Sequence, residues 1–264
     1  MQQNYPTLSQ AIFLLLRIVY VMAVIIIPYA AFRFLLHPAK YPSSFDSRYF
    51  CITIIAAQVL IFLYALKQIR KTDSFEWNKE LNMRAKANWI LILIGGLSVN
   101  FLIEPLAQVI PSMTLASAHL INLANDKIGG FLYLIFLAPI LNELLFRGII
   151  LRGFLKNFHP AIAILASSLA YAVFHLSIIQ AFASIFLCIF IGIVYWKTRS
   201  LALCISIHVL NNAIAYSLIL SSNGIITIES QVRNTPIYLG IYLAAALFLS
   251  ISLLQMHKMN EAND

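Results

Sequence analysis

Three pairs of polar side chains recur at a spacing of four residues inside apolar stretches of the chain. They are Glu143 with Arg147, Tyr171 with His175, and His208 with Asn212. Because an α-helix has 3.6 residues per turn, the two members of each pair are expected to share a helix face. A carboxylate and a guanidinium at membrane depth are costly, and they mark a functional site by default. The alternative for Glu143 and Arg147 is an ion pair that only pins one helix against another.

The composition indicates that these residues lie in a membrane protein. Of the 264 residues, 61% are hydrophobic and only 11% are charged, and several apolar runs are long enough to cross a bilayer. The formal net charge is +8, but the Lys and Arg residues lie in the connections, where membrane orientation accounts for them. We therefore expect a lipid bilayer around the chain and no nucleic acid as a partner.

Hydropathy predicts an all-α protein with eight transmembrane helices in a single integral membrane domain over 1–264. The apolar segments cover 11–36, 49–66, 89–110, 128–151, 161–177, 181–196, 201–221 and 236–256. Ser177 and Gln180 give the only turn signals between the fifth and sixth segments. Pro28 and Pro105 lie inside the first and third, where they favour kinks.

The distribution of basic residues predicts that both termini are cytoplasmic. Connections on one side hold more Lys and Arg than those on the other, and such residues favour the cytoplasm. Residues 74–86 lie in the most basic connection and predict a short interfacial helix, with Trp77 and Leu81 toward lipid. A solvated loop is the alternative for this segment.

The intramembrane ionisable residues beyond Glu143 and Arg147 are few: Arg17, Glu104, His175 and His208. At 1.5 Å per residue, Glu143 and His208 lie about 12 and 11 Å from the cytoplasmic ends of their predicted helices. This agreement predicts that the three polar pairs surround one cavity, which opens toward the cytoplasm.

The same residues carry a resemblance to a known family. The segment Asn142-Glu143-Leu144-Leu145-Phe146-Arg147 resembles the Glu-Glu-x-x-x-Arg motif of the CAAX-protease and bacteriocin-processing family of intramembrane endopeptidases, also called the Abi family. The segment ending Tyr171-Ala172-Val173-Phe174-His175 resembles its Phe-x-x-x-His motif, with Tyr171 in place of Phe. The His208 to Asn212 segment resembles its His-x-x-x-Asn motif. The resemblance covers about 125–220 and implies a catalytic core there.

The resemblance also implies roles for these residues, with one departure. In the family, the first Glu and the His of the second motif activate the attacking water, so His175 would position water here. His208 and Asn212 would stabilise the oxyanion, while Glu143 and Arg147 brace the site and Tyr171 supports it. The first Glu is replaced by Asn142, which cannot take up a proton at neutral pH. Loss of a general base costs on the order of 10²–10⁴ in rate, so an Asn142→Glu change is expected to restore about 10² or more.

The sequence is therefore compatible with three functions. The first is an intramembrane endopeptidase that cleaves peptide precursors or membrane-protein segments in a prokaryotic plasma membrane. The second is a catalytically silent relative that binds and regulates a membrane protein partner, and the third is a transporter, which the absence of repeat symmetry disfavours. No cofactor is expected. Zinc is not favoured, and its only candidate ligands are His175, His208 and Glu143.

Overall fold

The computed structural model describes residues 6–36, 47–69, 76–81, 88–108, 128–173, 175, 178–222, 232 and 235–261. These residues form helices and short connections, and no strand occurs among them. The helices used below are α1 (Leu8–Leu36), α2 (Ser47–Ile69), α3 (Trp77–Glu80), α4 (Trp89–Gln108), α5 (Gly129–Asn157), α6 (Pro160–Ala172), α7 (Ile178–Thr198), α8 (Leu201–Ser222) and α9 (Thr235–Glu261).

The all-α, multi-pass prediction is confirmed, and among the described residues six helices are long and apolar enough to span a bilayer. Each of the eight apolar segments contains a helix in the structure. In two of them the apolar part is shorter, Ile55–Gln68 in α2 and Pro160–Ala172 in α6. At 1.5 Å per residue, α6 is about 20 Å long, less than the roughly 30 Å of a bilayer core. The predicted break between the fifth and sixth segments is present, since α6 ends at Ala172 and α7 begins at Ile178.

Helix α5 changes its winding on both sides of the predicted first motif. Residues Leu132–Leu137 and Phe146–Leu151 are π-helical, and the α-helical turns Ala138–Leu145 lie between them. At the second junction the backbone N–H of Phe146 points at the carbonyls of both Asn142 and Glu143. π-Helical turns are rare and frequently occur at functional sites. Asn142 and Glu143 therefore lie on the α-helical turns, and Arg147 lies in the π-helical segment that follows.

Close helix packing centres on α4, which contacts α7, α8 and α9. Gly95 of α4 lies against Ser252 of α9, and the adjacent Gly96 lies against Ile207 of α8, the residue before His208. A Cβ atom at Gly96 would come within 2.4 Å of the Ile207 side chain. Glycine at this position therefore lets α4 approach α8 closely, and α8 is also in contact with α5.

The predicted interfacial helix over 74–86 is only partly within the described residues. Its described helical part is the single turn Trp77–Glu80, while 70–75 and 82–87 lie outside the described residues. The side chains of Trp77 and Leu81 are exposed, as expected for a lipid-facing edge. Glu80, in contrast, is buried against the helical bundle.

Candidate active site

Helix α5 places Glu143 and Arg147 in the interior of the protein, and the predicted ion pair forms. Arg147 Nη1 donates to Glu143 Oε1 over 3.0 Å, and Arg147 Nη2 donates to the backbone carbonyl of Cys188 over 2.9 Å. The two residues are 0% and 1% exposed, respectively. The guanidinium therefore links the first motif to α7, a contact that spacing along the sequence did not predict.

His208 of α8 shares the same carboxylate. Its Nδ1 lies 2.6 Å from Glu143 Oε1, which is the shorter of the two contacts made by that oxygen. Glu143 is thus the point at which the first and third motifs meet. The resemblance assigned Glu143 only to a brace with Arg147, and this additional partner could not be read from either motif alone.

Tyr171 of α6 bridges the first and third motifs from the other side. Its hydroxyl accepts a hydrogen bond from Asn142 Nδ2 at 3.3 Å and lies 3.4 Å from His208 Nε2. The tyrosine ring is held edge-on against Phe146, with ring centroids 4.9 Å apart. Asn142 and Tyr171, the two residues that depart from the family motifs, are therefore in direct contact.

His175 joins the cluster, but not along a helix face as predicted. Helix α6 ends at Ala172, and the His175 backbone N–H donates to the Ala172 carbonyl across 3.0 Å in the turn that follows. This turn still brings the imidazole beside Tyr171, with ring centroids 5.1 Å apart. The expectation of a shared helical face was wrong because the helix ends within the motif.

Asn212 lies one turn beyond His208 on α8, and its side chain is engaged elsewhere. The amide Nδ2 donates to the backbone carbonyl of Leu134, in the first π-helical segment of α5, over 2.8 Å. Asn212 therefore fastens α8 to α5 beside the Glu143 cluster.

Three buried polar atoms of the cluster have no hydrogen-bond partner among the described residues: Glu143 Oε2, Arg147 Nε and His175 Nε2. Buried polar groups are nearly always hydrogen-bonded to protein or to ordered water. These three atoms are therefore positions at which a water molecule or a peptide group can form a hydrogen bond.

The donor set does not fit zinc held by His175, His208 and Glu143. Within the described part of the chain, no group of three or more His, Cys, Asp or Glu side chains is arranged to hold a metal ion. Both His208 nitrogens and Glu143 Oε1 are already within hydrogen-bond distance of other side chains. The buried thiols of Cys188 and Cys204 form no disulfide.

A second buried carboxylate was missed by the sequence analysis. Arg152 Nη1 donates to Glu80 Oε1, and the Tyr195 hydroxyl donates to Glu80 Oε2 over 3.0 Å. Glu80 lies in the segment predicted as an interfacial helix, and Arg152 lies just after the apolar segment 128–151. Since these residues lie in separate parts of the sequence with no regular spacing, no local pattern could have joined them.

A comparison with known protein families finds a match, and the matched segment contains the polar residues around Glu143. Residues 124–214 match the family model described as type II CAAX prenyl endopeptidase Rce1-like. The match confirms the resemblance to this family. It includes every position from Asn142 to Asn212 and nearly coincides with the predicted core. No curated protein and no solved structure matches the chain.

Proposed function

We propose that this protein is an intramembrane endopeptidase that cleaves peptide precursors or membrane-protein segments. The observation that carries the proposal is the 2.6 Å contact between Glu143 Oε1 and His208 Nδ1 inside the family-matched segment. That contact joins a carboxylate to an imidazole, and His is the side chain used most often for general acid–base catalysis.

The surrounding cluster supports hydrolysis rather than a purely bracing role. His175 and Glu143 each have a buried polar atom with no partner among the described residues. A bracing network gains stability only when its buried groups are satisfied. Polar atoms that lack a hydrogen-bond partner beside an imidazole are suited to bind a water molecule and a peptide carbonyl.

The proposed setting is a prokaryotic plasma membrane crossed eight times, with both termini in the cytoplasm. The six long apolar helices and the two shorter ones support this count if α2 and α6 complete the bundle. In this orientation the site lies between the cytoplasmic leaflet and the bilayer midplane. Substrates would then be cut near the cytoplasmic side.

A second function is favoured by one specific observation. Asn142 stands where the family has a glutamate, and its amide is hydrogen-bonded to the Tyr171 hydroxyl. An amide cannot serve as a general base. A silent relative that binds and regulates a membrane protein partner is therefore the competing proposal.

The test is cleavage by the purified protein in proteoliposomes, read by mass spectrometry over a broad panel of membrane peptides. The matched inactive variant is His175→Ala with His208→Ala, and the control is His257→Ala, an exposed residue near the end of α9. We expect defined products from the wild type and the control, and none from the double variant. Absence of cleavage by the wild type across the panel would favour the regulatory function.

A further inference from the structure

The hydrogen-bond network around Glu143 fixes which nitrogen of His208 carries a proton. Glu143 and Arg147 form a pair with no net charge, and both are almost completely buried. An ionised carboxylate can only accept hydrogen bonds, so the 2.6 Å contact with Glu143 Oε1 calls for a proton on His208 Nδ1. In a neutral imidazole, the hydrogen bond made by one nitrogen decides the state of the other.

This tautomer leaves His208 Nε2 with a lone pair that can accept a proton. The Tyr171 hydroxyl faces Nε2 at 3.4 Å, which is long for a hydroxyl donor. The same hydroxyl accepts from Asn142 Nδ2. Tyr171 therefore holds Nε2 weakly, and together with Asn142 it provides polar atoms on which a water molecule can be oriented.

We propose that His208 is the general base of the reaction, with Glu143 as its positioning carboxylate, and that Asn142 and Tyr171 orient the water. This inference rests on the proposed endopeptidase function. It differs from the roles implied by the resemblance, in which His208 stabilises the oxyanion and the base belongs at position 142. A catalytic base is then present although Asn142 cannot accept a proton.

The proton balance of the reaction follows from this assignment. A water O–H proton passes to His208 Nε2 as the water oxygen bonds to the scissile carbonyl carbon, whose π electrons move to the carbonyl oxygen. As the C–N bond breaks, the Nε2 proton passes to the leaving nitrogen. One peptide bond and one water give a carboxylic acid and an amine. Glu143 stabilises the imidazolium that exists between these two transfers, as a carboxylate paired with Nδ1 does in other hydrolases.

The decisive variant is His208→Gln. Glutamine retains an N–H donor that can serve an oxyanion but cannot accept a proton, and the variant leaves the Glu143–Arg147 pair intact. We expect kcat to fall by about 10² or more, the usual contribution of a general base. The control His257→Gln, at an exposed position of α9, is expected to keep the wild-type kcat. Retention of kcat by His208→Gln, or a larger loss in His175→Gln, would overturn the assignment.

A second measurement does not depend on activity. Nitrogen-15 NMR of the protein labelled in histidine, with His208→Gln to assign the resonance, reports the protonation of each ring nitrogen. We expect a neutral His208 with a proton on Nδ1 and none on Nε2. An imidazolium, or a neutral ring protonated on Nε2, would contradict the proposal.

Asn142→Glu separates this mechanism from the one implied by the family motif. If position 142 lacks the only base, glutamate there raises kcat by about 10² or more. If His208 is the base, a new carboxylate displaces the Asn142–Tyr171 hydrogen bond and adds negative charge beside Glu143, so we expect less than about a tenfold gain. A gain of 10² would refute the His208 assignment while supporting the endopeptidase function. Absence of wild-type cleavage across the peptide panel would refute both.

Discussion

The described residues contain two buried glutamate–arginine pairs, and both arginines lie on α5. Arg147 meets Glu143, and Arg152, little more than one turn further along, meets Glu80. Each pair also has a tyrosine beside it: the Arg147 guanidinium carbon lies 5.9 Å from the Tyr171 ring centroid, and the Tyr195 hydroxyl donates to Glu80. Each carboxylate is almost completely buried. By residue type and burial alone the two clusters look alike.

They differ in how fully their hydrogen bonds are satisfied. Both oxygens of Glu80 have partners, Arg152 on Oε1 and Tyr195 on Oε2. In the Glu143 cluster, Oε1 serves both Arg147 and His208, while Oε2 has no partner among the described residues. A satisfied buried network rigidifies a fold, whereas an incomplete one is costly unless something else completes it. The Glu80 cluster therefore fastens the α3 segment to the bundle, and the incomplete hydrogen bonding of the Glu143 cluster supports the proposal that the reaction takes place there.

The largest expected difference between the clusters is in turnover. In Glu143→Gln the amide no longer stabilises a positive imidazole and can reverse the His208 tautomer, so kcat is expected to fall by about 10³-fold or more. In the matched variant Glu80→Gln we expect kcat within about threefold of wild type, since the reacting groups are untouched. Steady-state cleavage in proteoliposomes measures both. Similar losses of kcat in the two variants would remove the distinction between them.

The second largest expected difference is in the free energy of unfolding of the variants Arg147→Ala and Arg152→Ala. Arg147→Ala leaves Glu143 charged, buried and without its ion-pair partner, and breaking such a pair costs about 3–5 kcal/mol. Arg147→Ala also removes the hydrogen bond to the Cys188 carbonyl. Arg152→Ala is expected to cost less, because Arg152 is 8% exposed whereas Arg147 is 1% exposed. Equilibrium unfolding in mixed micelles, together with the yield of folded protein, checks both values. Wild-type yield and stability of Arg147→Ala would show that Glu143 does not depend on this pair.

The smallest expected effects concern the two tyrosines. Tyr171→Phe removes a hydroxyl that contacts Asn142 and His208, so kcat should fall about fivefold, the equivalent of one hydrogen bond of about 1 kcal/mol. Tyr195→Phe instead leaves Glu80 Oε2 unsatisfied and should lower the free energy of unfolding by about 1–3 kcal/mol without changing kcat. If Tyr171→Phe altered only stability, Tyr171 would belong with the structural cluster.

The sequence predicted much of the fold because its signals are local. Apolar runs located every helix used here except α3, and the separation of α6 from α7 was found with only weak turn signals. Hydropathy does not report where a helix ends: the segment 161–177 was taken as one span, yet α6 stops at Ala172. The π-helical turns of α5 also left no trace in the pattern of residue types.

Within the site, the sequence by itself determined the residue types and the pairs that one helix can form. Glu143 with Arg147 is such a pair, since four positions on a helix bring the side chains together whatever surrounds them. Only the tertiary structure decided that Glu143 also contacts His208, 65 positions away, and that Tyr171 joins Asn142 to the same imidazole. Those contacts depend on how α5, α6 and α8 are rotated and how closely they pack. Rotation and packing are set by many weak side-chain contacts across the whole bundle, so no single motif contains them.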